Sequence, residues 1–338
     1  MDSRWTASLG VALTGRRLPA SVAAWARDAE RAGFGSLWII EDYFQPGAFT
    51  LAGAAAAVTE RITIGIGVVN PYTRHPAVLA METAALAGIA PGRVVLGLGA
   101  SNRNWIEGQM AIAFDTPLQG LREGVEIVTR LLAGERVTYT GKCFSVHDAV
   151  LETPPPALVP IVLGVKAPRA LALAAEVSVG VHCSIMTSPA HVRRVRRTTG
   201  GARDDFTVLA YVPMAVGADG RSRVRPVLAR YIGALHGQSL LVDAGFGPAE
   251  TQALRDAFLA RRPAGDLVTD DMIEALAVCG TPEECRRSLS RFADAGLDVP
   301  VAFLPPGPPV PEQLFRLHEA LGAAWRELAA RPVSRRTA

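Results

Sequence analysis

Short apolar runs alternate with longer amphipathic stretches along the chain. The runs are apolar at consecutive positions, which is typical of parallel strands buried on both faces. The stretches between them have the spacing of amphipathic helices, and Pro19 and Gly33 mark the start and end of the first. The predicted strands are Ser8–Leu13, Ser36–Ile40, Ile62–Val68, Val94–Leu98, Ile161–Leu163, Val177–Cys183, Phe206–Val216 and Val299–Phe303.

Two segments depart from this alternation. Residues 135–151 contain two β-prone runs around Gly141, so we predict an inserted hairpin. Residues 221–278 are helical with loops and too long for one helix, which indicates a helical insertion. Thr281, followed by Pro282 and two glutamates, predicts the capped start of another helix.

The alternation predicts the fold class. Eight strands separated by helices are typical of an α/β protein, and we predict one (β/α)8 TIM barrel with insertions over residues 1–338. A doubly wound parallel sheet shows the same alternation and is the alternative. In a barrel the site lies at the carboxyl ends of the strands. The residues that follow each strand are therefore the candidates for chemistry.

Composition restricts the function classes. Of the 338 residues 49% are hydrophobic and 20% charged, so the chain can bury a large core and is not a disordered protein. A net charge of +3 gives no reason to expect nucleic acid. The apolar runs are too short to span a bilayer, and residues 1–17 lack a signal-peptide pattern. The four cysteines form no CxxC pair. We expect a cytoplasmic enzyme without a metal site.

Residues capable of acid–base chemistry follow the second, third and fourth strands. Glu41 and Asp42 are adjacent and point in different directions, so at most one of them enters the barrel mouth. His75 lies in the polar stretch after the third strand, and Glu107 follows the fourth. These four are the candidate catalytic residues. Helix capping and loop ion pairs are their alternative roles.

Glycines at the third and fourth strand ends are candidates for cofactor binding. Gly67 weakens its strand, so we expect a close approach to the backbone there, and Asn70 supplies a nearby side-chain donor. Gly99, Ala100 and Ser101 follow the fourth strand and lack the third glycine of a dinucleotide fingerprint. Their backbone amides are still expected to hold a cofactor.

The end of the fifth strand is a candidate anion site. Gly164, Val165, Lys166 and Ala167 precede a helix that begins at Pro168. Free amides and the helix dipole both favour a negative group at such a position, and a lysine adds positive charge. We therefore predict that this segment binds a phosphate.

The stretch ERITIGIGVVNPYTRHPAVLA, followed by GRVVLGLGAS, resembles the bacterial-luciferase-like superfamily. The similarity is nearest to its coenzyme F420-dependent branch, typified by methylenetetrahydromethanopterin reductase. It implies a barrel, usually dimeric, with a deazaflavin across the C-terminal mouth. It also implies a non-prolyl cis peptide bond behind the ring, at Gly67-Val68 or Val68-Val69. The segments after strands four and five would hold the tail and phosphate.

This resemblance favours an oxidoreductase that transfers a hydride between reduced F420 and a C=C or C=N bond. Its substrate would be a small molecule or peptide, in specialised metabolism or peptide modification. Glu41, Asp42 or Glu107 would move the proton. Many deazaflavin dehydrogenases carry Asp-His where this chain has Glu41-Asp42, which argues against sugar-phosphate chemistry. An FMN-dependent monooxygenase with a separate reductase is the alternative, and a cofactor-free binding protein is a third.

Overall fold

A computed structural model describes residues 8–13, 19–200, 205–306 and 310–330. Residues 1–7 and 14–18, most of the segment considered for a signal peptide, lie outside the described residues. Within the described ranges the strands are β1 Gly10–Leu13, β2 Ser36–Ile39, β3 Thr63–Val69, β4 Val94–Leu98, β5 Val137–Thr140, β6 Ser145–Ala149, β7 Ile161–Leu163, β8 Gly180–Cys183, β9 Thr207–Val216, β10 Val278–Gly280 and β11 Val299–Phe303.

Helices connect these strands. A π-helix at Asn104–Gln109 precedes the fourth α-helix, and short 3-10 turns lie at Pro19–Ser21 and Gly265–Leu267. The α-helices are α1 Val22–Ala32, α2 Ala48–Ala56, α3 Pro76–Ile89, α4 Pro117–Leu132, α5 Pro168–Val177, α6 Pro189–Thr198, α7 Gly220–Ala234, α8 Ser239–Asp243, α9 Pro248–Leu259, α10 Asp270–Leu276, α11 Pro282–Asp294 and α12 Val310–Ala329.

Eight strands close into a parallel barrel in the order β1-β2-β3-β4-β7-β8-β9-β11. Closure is shown by Gly10, which lies opposite Ser36 of β2 on one side and Val301 of β11 on the other. The predicted (β/α)8 fold is therefore confirmed, and the doubly wound alternative is wrong. Strands β5 and β6 pair antiparallel outside the barrel, as a hairpin. Strand β10 pairs with the last residues of the long strand β9.

The barrel strands are mostly apolar because each has two buried faces. On β9, Leu209 packs with the side chains that fill the barrel, whereas Val208 and Ala210 pack against the surrounding helices. Trp38 of β2 is completely buried inside the barrel. The barrel interior is thus a packed core, and binding is confined to its open end.

Local signals explain most element boundaries. Gly33 ends α1 with a φ of 100°, and Thr281 and Glu284 form a reciprocal capping box at the start of α11, both where the sequence predicts them. The predicted strand Val177–Cys183 is wrong at its start, because α5 continues through Val177 and β8 begins at Gly180. No helix among the described residues combines the length and apolar character needed to cross a bilayer.

Candidate functional site

The end of β3 is irregular and closely packed. The peptide bond between Gly67 and Val68 is cis, at one of the two positions that the family resemblance implies. The pairing of β3 with β4 shifts register between Ile66 and Val69. A side chain at Gly67 would overlap the Tyr211 hydroxyl, so the close approach expected at this glycine is made by the chain's own interior residues.

Gly99, which follows β4, and Gly164, in the segment between β7 and α5, both face the Val68 side chain. A Cβ added at Gly99 would lie 2.8 Å from one Val68 methyl carbon, and one added at Gly164 would lie 2.9 Å from the other. The amides of Gly99 and Gly164 donate to the carbonyls of Val69 and Leu98. The two glycines therefore make room for Val68, and any amide that holds a cofactor belongs to the residues after them.

Asn70 connects three neighbouring strand ends. Its Nδ2 donates to the Ala100 carbonyl at 2.8 Å and to the Tyr43 hydroxyl at 3.0 Å. Its Oδ1 accepts from the Tyr72 amide at 2.6 Å. The Tyr43 ring meets the Trp105 ring edge to face, with centroids 5.1 Å apart. Asn70 thus fixes the segments after β2, β3 and β4 relative to one another.

The adjacent carboxylates at the end of β2 have different environments. Glu41 forms a two-point ion pair with Arg74, and one of its oxygens also accepts from the Ala48 amide at the start of α2. Asp42 accepts from the side chain of Gln45 at 3.4 Å. Burial raises the pKa of the Tyr211 hydroxyl well above its usual value, and the nearby negative charge of Asp42 raises it further. Of the two carboxylates, Asp42 is the one whose charge affects the Tyr211 hydroxyl.

The other two predicted catalytic residues lie at the rim. The Nδ1 atom of His75 accepts from the Ala77 amide at 3.3 Å and caps α3. Glu107, on the π-helix, pairs with Arg103 one turn earlier, and 42% of its side chain is exposed. The contacts of His75 and Glu107 are those of a helix cap and a surface ion pair. Their catalytic roles stay predictions.

Three aromatic residues form a floor inside the barrel mouth. The His182 ring lies 4.2 Å from the Tyr211 ring and 5.4 Å from the Trp38 ring, centroid to centroid. Burial lowers the pKa of His182 to about 3, so its imidazole is neutral at physiological pH. Its Nε2 has no hydrogen-bond partner among the described residues. No sequence motif points to this floor. The one available signal was a polar aromatic residue inside an apolar strand.

Lys166, in the predicted anion site, is half-buried. Its ammonium donates to Gln238 Oε1 at 2.8 Å, and burial lowers its pKa to about 8. The following helix begins with Pro168, and Ala167 at its N-cap position makes no side-chain cap. The segment therefore combines a half-buried cation with an uncapped helix N-terminus.

The helical insertion lies over the same end of the barrel. Tyr231 of α7 packs edge to face on Phe303, the last residue of β11, with ring centroids 5.6 Å apart. Gln238 follows α7 and contacts Lys166. The insertion therefore places aromatic and amide groups beside the strand ends.

These features fit a flat cofactor with an anionic tail, which is the shape that a deazaflavin has. The orphaned His182 Nε2 lies in the barrel floor next to Gly67, where an added Cβ would come within 3.2 Å of it. Lys166 supplies positive charge at one side. The assignment of individual residues to the cofactor stays a prediction.

Comparison with known protein sequences agrees with this geometry. Residues 7–299 match the profile of the luciferase-like monooxygenases. A 5,10-methylenetetrahydromethanopterin reductase of Archaeoglobus fulgidus is 32% identical over 295 residues, which are 83% of this chain and 88% of that protein. An F420-dependent glucose-6-phosphate dehydrogenase of Microbacterium testaceum is 28% identical over 290 residues, covering 79% and 82%.

Solved structures share the architecture. The coenzyme F420-dependent tetrahydromethanopterin reductase of Methanopyrus kandleri superposes with a TM-score of 0.81 at 24% identity, covering 93% of this chain and 97% of that one. An F420-dependent secondary alcohol dehydrogenase, in complex with an F420-acetone adduct, gives 0.74 at 21% identity, covering 94% and 99%. At such identities the likeness concerns the fold.

Proposed function

This chain belongs to the luciferase-like monooxygenase family, and from that premise we propose that it is an F420-dependent oxidoreductase. Its relatives include enzymes named for F420 and for methylenetetrahydromethanopterin reduction. The observation that carries the proposal is the half-buried ammonium of Lys166, which lies beside the uncapped start of α5 at the carboxyl ends of the strands. When bound, F420 supplies a hydride donor or acceptor.

The chain's own residues would hold and orient that group. Gly67, Val68, Val69 and Asn70 would support one face of the ring, since Asn70 and Tyr211 fix their backbone. A second set would hold the tail: Ala100 and Ser101 beside Gly99, and Val165, Lys166 and Ala167 beside Gly164. Rigid support matters because hydride transfer requires the two reacting carbons at a defined distance.

Asp42 is the best placed of the proposed proton-transfer residues. Both oxygens of Glu41 are engaged by Arg74 and α2, whereas the charge of Asp42 acts on Tyr211. A carboxyl group at that place can give or take a proton next to a substrate in the mouth. Glu107 and His75 would reach a substrate only from the rim.

We propose a substrate with a C=C or C=N bond, either a small molecule or a peptide of specialised metabolism or peptide modification. The edge-to-face pair of Tyr231 and Phe303 supports a partly apolar substrate at the mouth. The Glu41-Asp42 pair, in place of Asp-His, distinguishes this chain from the sugar-phosphate dehydrogenases it resembles.

Two fluorescence titrations test the cofactor, one with oxidised F420 and one with FMN. We expect tight binding of F420 and weak binding of FMN. The chain has two lysines, which provide a matched pair of variants. Lys166→Ala should weaken F420 binding by about 1–3 kcal/mol, because a charge-assisted contact is lost. Lys142→Ala, at an exposed position, should change nothing. Preferred binding of FMN would support the monooxygenase instead.

We also propose that the protein is a homodimer that works in the cytoplasm. Helix α3 is apolar on its outward face, where Val78, Met81 and Ile89 have exposed fractions of 42%, 59% and 52%. A helix that is apolar all round is normally covered by another element, and a second copy supplies an equally apolar helix. All four cysteines are free thiols, which supports a reducing compartment.

A further inference from the structure

Lys166 and Gln238 join the barrel to the helical insertion. Lys166 follows β7, and Gln238 lies in the turn between α7 and α8. The 2.8 Å hydrogen bond between them pairs a half-buried ammonium with a neutral amide. A neutral partner leaves the charge uncompensated, and a buried charge is stable only when it is paired. Burial accordingly lowers the pKa of Lys166.

The charged groups around Lys166 do not balance it. Arg194 of α6 donates to the Lys166 carbonyl and to Ser239, and its Nε lies 2.9 Å from an Asp243 oxygen. The same Asp243 oxygen lies 2.7 Å from Nδ1 of the buried His191. The one carboxylate of this cluster is therefore shared by Arg194 and His191. The cluster carries more positive than negative charge and lacks an anion at Lys166.

We propose that Gln238 and the phosphate of the cofactor compete for the Lys166 ammonium, so that cofactor binding releases the Gln238 side chain and loosens the turn before α8. This inference rests on the proposed function, because it requires a phosphate-bearing cofactor. A phosphate oxygen makes a charge-assisted hydrogen bond, which is about twice as strong as one to a neutral amide. The phosphate therefore displaces Gln238, and not the reverse.

The remaining contacts determine how α8 responds. Asp243, at the end of α8, stays bound to Arg194 and His191, whereas Gln238, just before its start, becomes free. Ser239, the first residue of α8, stays bound to Arg194, so α8 keeps its place and the release concerns the Gln238 side chain and the turn before α8. Because the turn before α8 lies beside the strand ends, the release widens the path to the mouth after the cofactor has bound. Gln238 would in this way couple cofactor binding to substrate entry.

Variants of Gln238 test the competition. Gln238→Ala removes the competitor and should tighten binding of oxidised F420 by about threefold to tenfold, the worth of one hydrogen bond. Gln238→Glu supplies an internal carboxylate and should weaken it by about tenfold or more. Gln252→Ala, at an exposed position of α9, is the matched control. The readout is the dissociation constant from deazaflavin fluorescence.

The deazaflavin riboside that lacks the phosphate tail separates the two proposals. Neither Gln238 variant should change the affinity for this riboside. Equal F420 affinities in the wild type, Gln238→Ala and Gln238→Glu would overturn the competition while leaving the proposed function intact. A wild-type protein that binds neither F420 nor the riboside would overturn both.

Amide hydrogen exchange gives a second readout, independent of affinity. Adding F420 should speed exchange in residues 235–238, the turn before α8, and adding the riboside should leave it unchanged. Slower exchange in this turn on F420 binding would mean that the phosphate draws the turn towards Lys166, and would contradict the release of Gln238.

Discussion

The hydroxyl of Tyr211, on β9, donates a 2.6 Å hydrogen bond to the carbonyl of Gly67 at the end of β3. The two strands lie apart in the barrel order, so this bond crosses the barrel interior. It holds the β3 backbone where the family resemblance places the cofactor ring. Gly67 permits the bond because a Cβ at this position would overlap the Tyr211 oxygen.

Substitutions at Tyr211 and Gly67 should be strongly coupled. Tyr211→Phe leaves a buried carbonyl unpaired and should lower the free energy of unfolding by about 1–3 kcal/mol. Gly67→Ala should destabilise the wild type by about 1–3 kcal/mol through overpacking and should cost less in the Tyr211→Phe background. Urea unfolding of the two single variants and the double variant measures the coupling. Additive free energies would contradict the close approach.

Glu41 and Glu107 should respond differently to the same change. Glu41→Gln breaks a half-buried pair with Arg74 and a contact to α2, so we expect a loss of about 2–4 kcal/mol in the free energy of unfolding. Glu107→Gln removes an exposed pair within one helical turn and should cost about 0.5 kcal/mol or less. Chemical unfolding measures both. Equal losses would show that Glu41 does not organise the β2–α2 segment.

Glu123 of α4 should make stability depend on pH in the acid range. Its carboxylate accepts hydrogen bonds from the amides of Lys142, Cys143 and Phe144 and from the side chain of Gln119. Burial acts to raise the pKa of Glu123, but these bonds outweigh it and hold the pKa below the usual 4.5. The unfolded chain therefore takes up this proton at a higher pH, and the stabilisation is lost as pH falls below about 4.5.

Glu123→Gln tests this dependence. We expect it to cost about 1–3 kcal/mol at pH 7, since one hairpin amide would face an amide nitrogen. The difference from the wild type should shrink as pH falls through 4.5 towards 3. Glu319→Gln, at an exposed position of α12, is the control and should show no such trend. A difference that stays constant down to pH 3 would mean that Glu123 does not act through its charge.

Met81→Asp tests the proposed dimer. A charge in the middle of the apolar face of α3 should block contact with a second copy, so we expect a monomer by light scattering on a sizing column. Phe315→Asp is the control, since Phe315 on α12 is an apolar residue that is 40% exposed. This change should leave the oligomeric state as it is. A dimer that survives Met81→Asp would place the interface elsewhere.

The barrel could be predicted because its strands have two buried faces and so are apolar at most positions. The start of β8 could not be predicted, because Val177 and Val179 are typical of strands. The Ser178 hydroxyl between them donates to the Ala174 carbonyl and so extends the end of α5. The π-helix at Asn104–Gln109 leaves no periodic signal. Strand β10 forms because the long strand β9 has free pairing positions beyond the barrel, which is a tertiary property.

The sequence predicts those parts of the candidate site whose residues are close together along the chain. Position after a strand and a family resemblance identified the segment around Gly67 and Val68. The Tyr211 contact could not be found in this way, since 144 positions separate Tyr211 from Gly67. The partner of Lys166 lies in the insertion, 72 positions away. Such pairs become visible only when the barrel closes.

The packing of Val68 against Gly99 and Gly164 has a consequence for protein engineering. At Gly164 the three nearest atoms that an added Cβ would meet all belong to Val68. Enlarging Gly164 alone creates a clash, and shrinking Val68 alone creates a void. A library that varies one position at a time would therefore reject these changes, although Val68→Ala with Gly99→Ala and Gly164→Ala replaces the two lost carbons by two. Attempts to reshape the mouth for a different ring system should vary these positions together.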